Sequence, residues 1–191
     1  MTVILDLDDV LANLREALYR TLSRATGIDF HWRNWTHYDL RQHYDVFDER
    51  LINILVDDAT LETCHPEPGA AATTKALREL GFDISIVTAR GWHPRAEAIT
   101  RDWLDTNAIL FDQLIIVPLG GDKLAALGPL REIVFAVDDH STNVSRYQAA
   151  GVPVLLMDRP WNGGIEAERI YSLEAVVGYA SAAARSGRVA G

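Results

Sequence analysis

The sequence predicts an α/β protein: a parallel sheet sandwiched between helices in three layers, with a small helical segment inserted after the first strand. Three observations carry this expectation. Short, almost continuously apolar runs recur at residues 3–7, 82–88, 113–117, 133–138 and 152–157, as expected of strands covered on both faces. Helical patterns lie between most of them. The exception is the stretch from Val10 to Pro66, which contains no convincing strand.

Taken in order, the run at 3–7 gives way to carboxylates after its apolar residues. An amphipathic pattern (Leu14, Ala17, Leu18, Leu22) then predicts a helix, followed by aromatic-rich sequence (Phe30, Trp32, Trp35, Tyr38, Tyr44, Phe47) and a second helical pattern (Leu51, Ile54, Leu55). Pro66 and Pro68 punctuate its end. Residues 70–80 read as a helix closed by Gly81, and 141–150 as one closed by Gly151. Between them, Pro94 suits a first helical turn ahead of the stripe Ile99, Trp103, Leu104. Strand alternating with helix amounts to a Rossmann-like core. The expected division is a core of residues 1–13 and 67–180, a helical cap of 14–66, and a disordered tail of 181–191 rich in Ala, Ser, Gly and Arg.

Composition narrows the function. The chain has 191 residues, 48% hydrophobic and 24% charged, which suits a soluble globular protein of one domain with an insertion. Its net charge of −9, from 27 acidic against 18 basic residues, argues against long nucleic acid as a partner, because a phosphate backbone calls for a basic surface. The single cysteine, Cys64, excludes an internal disulfide framework and leaves a thiolate zinc site short of ligands. The first residues do not read as a secretory signal, and no stretch reads as a membrane span, so the expectation is a cytoplasmic protein without a membrane partner. A homodimer is compatible with this composition.

The chemistry is concentrated at predicted strand ends. Asp6, Asp8 and Asp9 appear where the first strand leaves the sheet, and Asp138 and Asp139 where the run 133–138 does. In parallel α/β sheets these ends line the ligand crevice. Two carboxylates about 4 Å apart repel by roughly 4 kcal/mol at an effective dielectric near 20, so such a cluster calls for a cation or a shared proton. Hard oxygen donors from two strands suit Mg²⁺, which keeps open positions for water and phosphate. Thr88 ends another apolar strand, and Lys123 lies in the loop before a helix. Each alone is ordinary; their order along the chain is not.

That order, Asp-x-Asp-x-Val-Leu after the first strand, then a strand ending in Thr, then Lys, then a strand ending in Asp-Asp, resembles the haloacid dehalogenase superfamily of phosphohydrolases. The resemblance implies that Asp6 is the nucleophile that becomes an aspartyl-phosphate, and that Asp8 is the general acid and then base. It further implies that Thr88 and Lys123 bind the phosphoryl group. Mg²⁺ would sit between the Asp6 carboxylate, the Asp8 backbone carbonyl and Asp139, with Asp138 behind. Many members have Gly where this chain has Asp9, which leaves a substrate hydroxyl or a second cation as roles for that carboxylate. Within the superfamily, Asp9-Val10-Leu11-Ala12-Asn13, Tyr38-Asp39-Leu40, Pro66-Glu67-Pro68-Gly69-Ala70, Thr88-Ala89-Arg90 and the segment from Met157 to Asn162 are similar to the 5′(3′)-deoxyribonucleotidases and their bacterial and phage relatives.

A (deoxy)nucleoside monophosphate is therefore the expected substrate. Trp32, Trp35 and Tyr38 are candidates to stack on its base, and Arg90 and Trp92 to flank it. Aromatics also build the core of a small helical insertion, and that reading stays open for each ring. The alternatives are a phosphatase acting on a polynucleotide 3′-phosphate or a sugar phosphate, or a non-catalytic nucleotide or Mg²⁺-binding module.

Overall fold

The computed structural model describes residues 1–128 and 132–189. Among these, six strands form one sheet: β1 (Thr2–Leu5), β2 (Asp83–Thr88), β3 (Gln113–Ile116), β4 (Ile133–Asp138), β5 (Val154–Met157) and β6 (Glu168–Ile170). They lie in the order β3-β2-β1-β4-β5-β6, and every neighbouring pair is parallel. The chain winds outward from β1 through β2 to β3, then returns to lay β4 on the other side of β1. That reversal opens a crevice beyond the carboxyl ends of β1 and β4.

The helices are α1 (Leu14–Thr26), α2 (Asp48–Asp57), α3 (Thr60–Thr63), α4 (Ala70–Glu79), α5 (Ala96–Thr106), α6 (Lys123–Ala126), α7 (Ser141–Ala149) and α8 (Leu173–Val189). Side-chain alternation along the strands builds the layers. Val3, Leu5, Ile84, Ile86, Phe135 and Val137 face a core shared with Leu77 of α4, Leu104 of α5 and Val176 of α8. Ile4, Val87, Ala136 and Leu156 face the opposite way, toward Val144 and Tyr147 of α7.

The expected insertion contains α1, α2, α3 and two single 3₁₀ turns, Trp32–Asn34 and Leu40–Gln42. Its two crossings to the sheet run side by side. Ala12 and Pro66 form an antiparallel bridge, flanked by hydrogen bonds of 2.8 Å from Asn13 N–H to the His65 carbonyl and from Glu67 N–H to the Leu11 carbonyl.

Two features depart from expectation. The edge strand β6 has no apolar run to announce it, because only Ile170 of its three residues is buried. The segment expected to be disordered from 181 is instead helical to Val189; residues 190–191 lie outside the described residues. Alanine carries the highest helix propensity, and Ala180 and Ala184 pack into the core. Among the described residues no helix is long and apolar enough to cross a membrane.

Candidate active site

The strand ends assemble one acidic centre. Asp6 follows β1 and keeps the sheet ladder going with its N–H on the Val137 carbonyl at 3.0 Å. Asp138 closes β4 and Asp139 comes next. The three carboxylates are buried, with one oxygen from each lying within 4.8 Å of the others. Lys123, at the start of α6, reaches in between. Its Nζ stands 2.6 Å from Asp6 Oδ2 and 3.0 Å from Asp138 Oδ2.

Asp138 and Asp139 are held from behind. Asp138 also accepts the His140 N–H at 2.9 Å and both of its oxygens accept from Asn143 Nδ2 at 3.0–3.1 Å. Asp139 Oδ2 accepts the Trp161 indole N–H at 2.9 Å, and Asn162 donates to the Asp139 carbonyl. The loops after β2 and β3 meet, with the Gly91 N–H donating to the Val117 carbonyl at 3.0 Å. A Cβ on Gly91 would stand 2.6 Å from the Val117 carbonyl oxygen, so glycine is what lets these loops meet.

One ammonium faces three buried carboxylates, and the electrostatics follow. Burial raises the Asp6 carboxyl to about 8 despite Lys123, with Asp138 adding to the rise. Burial lifts Asp139 well above the carboxylate range, and Asp6 and Asp138 push the same way. Burial disfavours the Lys123 ammonium, but Asp138 and Asp6 outweigh it and hold the proton more tightly than in water. The centre is short of positive charge. Its hard, anionic oxygens are a donor set that fits a divalent cation.

Asp8 stands beside this centre with its side chain one-fifth exposed. Arg90 grips it with Nη2 at 2.6 Å from Oδ1 and Nε at 3.0–3.1 Å from both oxygens, and Thr88 Oγ1 is 3.3 Å from Oδ2. Asp6, Asp8, Thr88, Lys123, Asp138 and Asp139 thus share one crevice. Arg90, expected to flank the substrate, is fully buried beneath Asp8 and turns its guanidinium to that carboxylate instead.

The rings of the insertion separate into different environments. Trp35 is buried, donates to the Phe30 carbonyl, and packs on His43 and Tyr44 within the insertion and on Trp161 of the sheet core. Trp32 donates to Glu16 and has the guanidinium carbons of Arg15 and Arg33 at 4.7 and 4.6 Å from its ring centroid. Tyr38 is different. The residue is half exposed and its ring meets His140 edge-on at 4.2 Å; desolvation, with the charges of Asp139 and Asp6 adding, raises the phenol well above its ordinary value.

The Asp9 carboxylate, left open in sequence to a substrate hydroxyl or a second cation, is turned to Arg15. Asp9 is buried with φ of 58°, a left-handed conformation that glycine adopts freely and Asp tolerates. Its Oδ1 accepts the Arg15 N–H and Nη1, both at 3.0 Å, so it satisfies an orphan donor in the first turn of α1. Glu67 then bridges Arg15 to Arg159, whose guanidinium returns to the Asp9 carbonyl. Burial lifts the Asp9 carboxyl to about 6 against the pull of Arg15. Cys64 is also buried, with its thiol raised to about 12 by desolvation, which suits a packing residue. Sequence reasoning assigned no role to Asn143, Trp161 or the Arg15–Glu67–Arg159 bridge. Asn143 was within reach, since it lies one helical turn beyond the acidic pair.

A family model described as 5′ nucleotidase, deoxy (pyrimidine), cytosolic type C protein matches residues 1–183. The chain belongs to this family. Membership in the deoxynucleotidase family makes it a phosphoric monoester hydrolase acting on small phosphate esters. No curated protein matches it in sequence. Solved structures share its fold: a haloacid dehalogenase-like family hydrolase from Streptococcus pneumoniae (12% identity, 93% of this chain and 97% of that one, TM-score 0.62), a HAD-superfamily hydrolase of subfamily IA, variant 1, from Geobacter sulfurreducens PCA (17%, 94% and 95%, 0.59) and a HAD-superfamily hydrolase from Ehrlichia chaffeensis (16%, 95% and 96%, 0.54). At these identities the likeness concerns fold.

Proposed function

We propose that the protein is a Mg²⁺-dependent phosphomonoesterase that converts (deoxy)nucleoside monophosphates to nucleoside and phosphate through an aspartyl-phosphate on Asp6. The observation that carries this reading is the buried, cation-deficient centre of Asp6, Asp138 and Asp139 with Lys123 between them and Asp8 alongside. Family membership supports the nucleotide.

In the first half-reaction an Asp6 oxygen attacks phosphorus, the ester P–O bond breaks, and the leaving oxygen takes the proton of the Asp8 carboxyl. In the second, the Asp8 carboxylate takes a proton from water, whose oxygen attacks the same phosphorus. The P–O bond to Asp6 then breaks and phosphate leaves, with Asp6 ionised and Asp8 protonated again. Lys123 and Thr88 bind the phosphoryl oxygens. Asp6, Asp139 and the Asp8 carbonyl would hold Mg²⁺, backed by Asp138; when bound, the ion supplies positive charge opposite the transferring group. Residues 14–66 act as a cap over the core of 1–13 and 67–180. They bend at 12–14 and 64–69 and exclude water on closure.

Phosphate release from ribo- and deoxyribonucleoside 5′- and 3′-monophosphates, sugar phosphates and a 3′-phosphorylated oligonucleotide, with Asp6→Asn as blank, tests this. A nucleoside monophosphate should be preferred, and chelation with EDTA should abolish turnover until Mg²⁺ is restored. Release confined to sugar phosphates or the oligonucleotide would overturn the substrate. Release by Asp6→Asn at the wild-type rate would overturn the nucleophile.

A further inference from the structure

We infer that Arg90 is a positioning residue that aims the Asp8 carboxyl at the reacting oxygen; this rests on the acid–base reading of Asp8 above. The guanidinium meets Asp8 as a planar fork, Nη2 on Oδ1 at 2.6 Å and Nε near both oxygens. Two-point contact fixes the orientation of a carboxylate, which a single point charge does not. Arg90 is itself fixed from behind: Nη1 lies 3.4 Å from Thr100 Oγ1, and the Trp103 ring centroid lies 6.0 Å from its guanidinium carbon, both on α5. Its Nη2 also lies 4.0 Å from Cys64 Sγ, at the exit of the insertion.

Burial divides the labour. The Arg90 side chain is 0% exposed and that of Asp8 is 20% exposed. The fork therefore occupies the protein side of the carboxylate, and the open side is left to the crevice. A fully buried guanidinium is costly unless paired, and among the described residues Asp8 is the carboxylate that pairs with it. Among the described residues the other side-chain partner of Asp8 is Thr88 at 3.3 Å, which the proposed reaction turns toward phosphate. Without Arg90 the acid–base group is left free to rotate.

The test compares kcat/KM, which covers the steps up to departure of the leaving group, for a nucleoside monophosphate and for p-nitrophenyl phosphate. The first needs its leaving oxygen protonated; the second barely does. Asp8→Asn defines the full bias, and Arg90→Gln should reproduce much of it, lowering the nucleotide value about 10- to 100-fold more than the aryl value. Arg90→Lys keeps the charge, loses the fork and should fall between. Equal losses on both substrates, or none, in the Arg90 variants while Asp8→Asn shows the bias would overturn the positioning role alone. Absence of bias in Asp8→Asn itself would overturn the underlying acid–base reading. Thermal unfolding identifies a variant that does not fold, and should Arg90→Gln be one, the Arg90→Lys ratio decides.

Discussion

The two walls of the crevice are built on different principles. On the sheet side, functional groups are placed by backbone: Asp6 and Asp138 sit where paired strands end, and Asp138 and Asp139 are then held by donors from His140, Asn143 of α7 and Trp161. On the helical side, the rings are placed by one another. Trp35 packs on His43 and Tyr44 and reaches Trp161 across the crevice, Trp32 lies against Arg15 and Arg33, and Tyr38 is half exposed beside His140. The sheet wall is thus preorganised for charge, whereas the helical wall spends most of its aromatic surface on its own cohesion. Substitutions on the first should be read in turnover and those on the second in stability.

Lys123→Ala is the strongest way to sharpen this contrast. It removes the one ammonium between two buried carboxylates, in a site where a preorganised charge contributes about 10²–10³ in kcat. A loss of that order, measured with p-nitrophenyl phosphate on folded variant, is expected. A loss under fivefold would mean that the sheet wall is not where phosphoryl charge is met.

Trp35→Ala probes the opposite wall. The ring is 2% exposed, and truncating a buried Trp costs about 3–5 kcal/mol, so the urea midpoint should fall clearly. If stability held while kcat/KM for a nucleotide collapsed, Trp35 would be a substrate residue and the two walls would no longer differ in kind.

The same division explains what could be read before the fold was known. Buried parallel strands are near-continuous apolar runs, so five of the strands are legible, and strand ends then place Asp6, Asp8, Thr88, Asp138 and Asp139 together with little help from side-chain detail. The charged edge strand β6 carries no such run. Arg90 shows the limit. Its place two residues after Thr88 puts it near the crevice, but only packing against Thr100 and Trp103 decides that it lies beneath Asp8 rather than above it. Asp9 is a similar case. That its carboxylate accepts from the first turn of α1 is decided by Arg15, six residues on, and its left-handed backbone carries no sequence signal. The aromatics are least legible, since a ring that stacks on a base and a ring that fills a core have the same sequence signature.

Tyr38 is the ring on which that ambiguity is sharpest, and it carries the smallest effect. The residue is half exposed, its ring lies edge-on to His140 and Trp161, and the nearby charges of Asp139 and Asp6 help to raise its phenol above the ordinary value. Stacking on a base contributes about 1–3 kcal/mol, and a half-exposed ring belongs at the lower end. Tyr38→Ala should therefore raise KM for a nucleoside monophosphate by about fivefold, at roughly 1 kcal/mol, while KM for p-nitrophenyl phosphate, which has no base to stack, changes less. Tyr38→Phe separates ring from hydroxyl: retention of the low KM assigns the contact to the ring. A fall in kcat on both substrates would instead assign the hydroxyl to the acidic centre, and would make Tyr38 a part of the charged wall supplied by the helical one.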